Sequence, residues 1–168
     1  MDIDILKSLV NRHRDITFHL VGVYDTDREL FSLLRGYKNI IWWGRVESNL
    51  IVSILAKSDI ALLLYKATSE YEKNQLANPH KIMEYLASGR VVVSTYTDEY
   101  KDKRELLEMV DNSNDYIKKF DEVVNNLDLF NSKERANMRI EFSKEHSYEK
   151  QLEKIEYLIN SRSLDAKK

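Results

Sequence analysis

The sequence predicts an α/β protein: a doubly wound, mostly parallel sheet with helices on both faces, followed by C-terminal helices. Three observations carry that expectation. Helical and strand patterns alternate from the first residues onward. The segment Ile60–Tyr65 is almost wholly apolar, as a central parallel strand covered on both sides should be. Residues 78–90 then read as loop, helix and glycine turn, and lead into the β-branched or small run Val91-Val92-Val93-Ser94-Thr95. That order is half of a parallel βαβ repeat.

Each element follows from its own pattern. Asp2 to Arg14 reads as a helix, with Ile3, Leu6, Leu9 and Val10 at helical spacing. The chain thus opens on a helix with no strand before it, so a first strand is expected to be lacking. Ile16–Val23 reads as a strand; His19 within it reads as a packed or edge histidine, since no partner His or Cys sits at metal spacing. A helix over Asp27–Arg35 ends at Gly36. A strand over Asn39–Trp43 leads to Gly44-Arg45-Val46, with one of Trp42 and Trp43 expected under a helix. Helix Ser48–Ser58 presents Leu50, Ile51, Ile54 and Leu55 on one face. Lys66 to Ala77 is a long polar loop at the carboxyl end of a parallel strand, the edge where open α/β sheets bind ligands. Thr97–Glu105 reads as loop or short helix, and Leu106–Val110 as a short strand, with helix as the rival. Three helices follow: Asp115–Asn126, Ser132–Glu145 and Tyr148–Ser161. Five strands result, in one domain over residues 1–162 with a disordered tail over 163–168.

Composition narrows the function classes. The chain has 168 residues, 43% hydrophobic and 32% charged, typical of a soluble domain large enough for one core. A net charge of −2 gives no global signal for nucleic acid or an anionic membrane. There is no cysteine, which removes disulfides and thiolate metal sites and is compatible with the cytosol. No apolar run reaches the length of a membrane span and no signal peptide is visible.

The helix that begins at Pro79 carries the strongest chemical signal. Asn78 suits its cap, the chain's one proline suits its first turn, and Gly89 suits the left-handed residue that closes it. Lys81, Glu84 and Ser88 share one face, while Ile82, Tyr85, Leu86 and Gly89 turn largely toward a sheet. A cation beside a helix N-terminus suits a phosphate, and a carboxylate one turn on can accept hydrogen bonds from the vicinal hydroxyls of a ribose. Spacing alone favours a surface Lys–Glu pair worth a few tenths of a kcal/mol. Asp25-Thr26-Asp27 after the first strand is likewise open to two readings. As D-x-D it could hold a divalent metal on a diphosphate, and as Asp/Thr at a helix start it is a cap.

The phrase P-x-K-x-x-E-Y-L-A-S-G-R-x-V-V-S-T, with Leu55 to Tyr65 before it and the Gly44-Arg45-Val46 turn, resembles the Rossmann-like donor-binding lobe of GT-B fold retaining glycosyltransferases (group 1, GT4-like). The resemblance implies the C-terminal lobe of a two-lobed enzyme that moves a sugar from a nucleoside diphosphate sugar to an acceptor hydroxyl, in polysaccharide or glycolipid synthesis. It implies Glu84 as ribose ligand, and Asn78, Pro79 and Lys81 on the phosphate and sugar side. Arg45 and Val46 fall against the base, and Gly22 joins the donor-binding set. No metal and no cofactor other than the donor itself is implied, and no residue stands out as a general base. Relatives often carry E-x7-E, whose first position is Leu76 here; the N-P-x-K-x-x-E-Y-L-A subgroup fits better. The partners implied are the nucleotide sugar, an N-terminal acceptor-binding lobe or partner subunit, and an acceptor glycan or glycolipid. The setting implied is cytoplasmic, with peripheral membrane contact through the other lobe. Two alternatives stay open: a lobe of a nucleotide-sugar 2-epimerase, and a non-catalytic α/β interaction module.

Overall fold

The computed structural model describes residues 1–23, 28–66 and 79–165. In chain order the elements are α1 (Ile3–Arg12), β1 (Phe18–Val21), α2 (Arg28–Leu34), β2 (Ile40–Gly44), α3 (Ser48–Lys57), β3 (Ile60–Leu63), α4 (Pro79–Ala87) and β4 (Val91–Thr95). A single 3-10 turn (Asp98–Tyr100) then precedes β5 (Glu108–Val110), α5 (Ser113–Asn125), α6 (Leu127–Phe130), α7 (Lys133–Glu145) and α8 (Tyr148–Asp165). The expected α/β alternation is present. Leu106–Val110 resolves as a strand at its last three residues. The four-residue helix α6 has no counterpart in the sequence reading. Helix α8 runs through Asp165, into the stretch assigned to the tail; residues 166–168 lie outside the described residues.

All observed strand pairs are parallel, but the five strands form two sheets, β1-β2 and β3-β4-β5. Strand β4 is buried along its whole length because both faces are covered. Val91 and Val93 face a core built with α1, α2 and α5, contributed by Leu6, Leu9, Leu34, Tyr116 and Phe120. Val92 faces a second core with Ile82 and Leu86 of α4, and Leu55 of α3 and Phe142 of α7 pack against that core. So α1, α2 and α5 cover one face, and α3, α4 and α7 the other.

Side chains fix the ends of these elements. Asn39 Nδ2 lies 3.0 Å from Val10 O, 2.9 Å from His13 O and 3.2 Å from Ile16 O, binding the exit of α1 to the entry of β1. Tyr116 sends its hydroxyl to Val93 O at 2.6 Å, so α5 is bonded to the central strand as well as packed on it. Asn131 bridges the amino ends of β3 and β4. Its Oδ1 accepts from Val91 N (2.8 Å) and its Nδ2 donates to Asp59 O (2.9 Å).

Candidate functional site

Parallel strands put all their carboxyl ends on one edge, and loops leaving that edge gather there. Strand β1 gives way to Gly22, at φ +134°, and β2 ends in Gly44, at φ +67°; both values favour a residue without a side chain. The Gly22 N–H donates to Gly44 O at 2.9 Å, holding the two strand ends level. Thr95 does the same between β3 and β4. Its hydroxyl accepts from Tyr65 N (3.2 Å) and donates to Leu63 O (3.4 Å). Asp2 closes the edge on the α1 side. Its carboxylate caps Ile5 N at 3.1 Å and its own N–H donates to Leu64 O at 2.8 Å.

The chain winds outward from β1 to β2, and outward again from β3 through β4 to β5. Between β1 and β3 it reverses, the topological switch point at which open α/β sheets bind ligands. A cavity of about 790 Å³ lies there, with Val21, Gly22, Tyr65, Lys81 and Tyr85 in its wall.

Helix α4 brings Lys81 to this cavity and carries Glu84 one turn on. Proline suits its first position, where an N–H would have no helical partner. Ile82 and Leu86 are fully buried, which leaves Lys81 and Glu84 exposed on the opposite side. The rear of the helix is held firmly. Gly89 takes φ +72°, and Arg139, only 1% exposed, donates to Gly89 O (3.0 Å) and Phe130 O (2.9 Å). A cation suits the C-terminal end of a helix. Burial pushes the Arg139 guanidinium down to about 10, still charged at neutral pH. Burial first, then the neighbouring Tyr65 and Glu84, pushes the Tyr85 hydroxyl up to about 12, so it stays a proton donor at neutral pH.

The structure brings some predicted site residues together and separates others. Gly22 and Lys81 share the cavity wall. Glu84 is exposed on the same helix. Arg45, exposed, and Val46, half-buried, follow β2 on the same edge but lie outside the cavity wall, one strand further out. Pro79 opens α4; Asn78, Asp25, Asp27 and Leu76 lie outside the described residues. Trp42 is the tryptophan that packs, edge-on to Phe31 of α2 at 5.3 Å, while Trp43 is exposed and donates to His19 Nδ1 at 2.9 Å. Tyr65, Tyr85, Thr95 and Arg139 were not singled out from the sequence as site-building. Of these Tyr65, Tyr85 and Thr95 carried a signal, their place in the segments that bear the resemblance, and Arg139 carried none. Among the described residues there is no group of three His, Asp or Glu able to hold a metal, and no helix long and apolar enough to cross a membrane.

Comparison with known proteins agrees with this layout. Residues 3–126 match the family described as glycosyl transferases group 1. The chain is also 32% identical over 96 residues to the putative teichuronic acid biosynthesis glycosyltransferase TuaH of Bacillus subtilis (strain 168). That alignment covers 56% of this chain and 23% of the relative, so the chain spans a minor part of that protein's length.

Proposed function

The chain belongs to the glycosyl transferases group 1, and from that premise we propose that it is the donor-binding half of a hexosyltransferase using a nucleoside diphosphate sugar. The observation that carries this reading is the pair Lys81 and Glu84, both exposed on a proline-led helix that follows the carboxyl end of β3 at the switch point. Lys81 and the amides of the first turn of α4 would neutralise charge that builds on the leaving diphosphate. Such a contribution is aimed at the transition state rather than the ground state. Glu84 would accept from the ribose hydroxyls and position the donor without moving a proton. The acceptor, a glycan or glycolipid in polysaccharide synthesis, would bind a separate N-terminal lobe or partner subunit. The proposed setting is cytoplasmic, at the inner face of a membrane through that other half. On this reading the 168-residue chain binds nucleotide weakly and transfers no sugar alone.

Calorimetric titration with UDP, GDP and ADP sugars tests the proposal. One of them should bind, and Glu84→Ala should weaken it at least about tenfold, the loss expected when hydrogen bonds to a charged group are removed. Equal affinity in wild type and Glu84→Ala would remove the ribose assignment.

A further inference from the structure

One face of the β1-β2 sheet is packed and the other is open. Phe18 and Ile40 are buried in the core shared with α1, α2 and α5, and Leu20 and Trp42 pack against it. Strand alternation puts His19 and Val21 of β1, and Ile41 and Trp43 of β2, on the opposite side. All four are exposed, Trp43 to 38%.

One contact on this open side is specific. Trp43 Nε1 donates to His19 Nδ1 at 2.9 Å. The ring centroids are 6.0 Å apart and the ring planes 23° from parallel. Donor and acceptor are both ring-edge atoms, so a bond this short joins the rings side by side; one ring lying over the other could not make it. Indole and imidazole therefore form one broad aromatic plate. The backbone aims it. The register steps from Leu20 opposite Trp42 to Val21 opposite Gly44, which makes Trp43 the extra residue of a β-bulge. Bulges re-aim a side chain and are common at sheet edges and beside active sites. His19 and Val21 also stand in the wall of the switch-point cavity, and Trp43 lies one strand further out, so the plate runs outward from the rim of that cavity.

The polar groups of the plate narrow what it can take. The indole N–H is spent on His19, so Trp43 offers a ligand only its electron-rich face. With Nδ1 accepting, the neutral imidazole carries its hydrogen at Nε2, a donor at the end of the plate. A pyranose with equatorial hydroxyls matches both features. Its axial C–H bonds make a face that is apolar and slightly positive, and its hydroxyls ring the edge. We propose that the Trp43–His19 plate binds a hexopyranose unit of a glycan, with the C–H face of the sugar against the indole and a hydroxyl accepting from His19 Nε2. Membership of a family whose chemistry is sugar transfer favours a glycan over other flat ligands. Such a site would give this unit a hold of its own on the acceptor chain, beside the donor edge. It shares no residue with the Lys81–Glu84 assignment and stands if that assignment fails.

Nitrogen-15 NMR tests this on the 168-residue chain, whose two indole N–H signals report Trp42 and Trp43 separately. Cellotetraose, a β-linked glucan with equatorial hydroxyls, should move the Trp43 signal and leave that of Trp42 in place. One plate and one hydrogen bond support a dissociation constant of about 1 mM. Inulin, built of five-membered rings, and UMP should move neither signal. Saturation transfer to the sugar then reads the variants. Trp43→Leu keeps an apolar residue in β2 and should weaken binding at least about tenfold with little change in melting temperature. Trp43→Tyr keeps an aromatic face and should stay within about threefold of wild type. The proposal is overturned if cellotetraose at about 10 mM leaves the Trp43 signal unmoved, if UMP moves it as strongly, or if Trp43→Leu binds as wild type does. It is also overturned if sedimentation shows a dimer that Trp43→Leu dissociates, since a second copy would then cover the plate.

Discussion

Replacing Gly89 by alanine separates two contributions that the structure places at one atom. Gly89 has φ +72°, and a left-handed backbone costs a residue with a Cβ roughly 1–2 kcal/mol. The added Cβ would also stand 3.0 Å from Ile140 Cδ1 and 3.3 Å from Cγ1, an overpacked contact that costs roughly 1 kcal/mol or more. Lower entropy in the unfolded chain returns about 0.4–1 kcal/mol. The net expectation is a loss of about 2 kcal/mol, or roughly 4–8 °C in melting temperature for a domain of this size. Urea unfolding of Gly89→Ala in the wild-type and Ile140→Ala backgrounds divides the two parts. The side-chain clash should vanish in the second background, and the backbone part, about 1 kcal/mol after the entropy offset, should remain. A penalty that disappears altogether with Ile140→Ala would refute the backbone argument. A penalty below about 0.5 kcal/mol in wild type, the size of an ordinary surface change, would refute both.

Three further outcomes follow from contacts already described or adjoining them. Tyr116→Phe should destabilise by about 1–2 kcal/mol in urea melts, because it leaves the buried Val93 carbonyl without its hydroxyl donor. Arg12 donates to Asp121 at 2.8 and 3.0 Å, and this hydrogen bond is the main reason the Asp121 carboxyl sits below its ordinary value. A depressed carboxyl stabilises the fold above its unfolded-state pKa and loses that contribution as pH falls through the folded one. Asp121→Asn should therefore flatten the acid limb of a stability-versus-pH curve. Lys81→Ala should weaken nucleotide-sugar binding about tenfold and reduce its salt dependence, read by calorimetry at two ionic strengths.

What the sequence made legible was local. Strand β4 was expected at Val91–Thr95 and is found there, because β-branched residues beside a glycine turn have few other uses. The two faces of α4 were likewise written in the spacing of Ile82 and Leu86 against Lys81 and Glu84. What stayed hidden was set by tertiary order. The distance of Arg45 from the cavity could not be read, because β1 stands between β2 and the cavity and strand order leaves no mark on the chain. Arg139 gave no sign of its burial, because arginines seldom go under and its partners are two main-chain carbonyls far apart in sequence. Helix α6 is too short to show any period. The division into two sheets, finally, depends on a strand edge and not on any residue type.

Asn131 has a bearing on where this unit may be trimmed. The family match ends at residue 126, yet the amide that clasps the amino ends of the two central strands comes five residues later. The guanidinium and the isoleucine that buttress the back of α4 come later still. The matched segment and mechanical integrity thus have different borders here. A gene segment cut at the first would leave a sheet with its lower hinge unpinned.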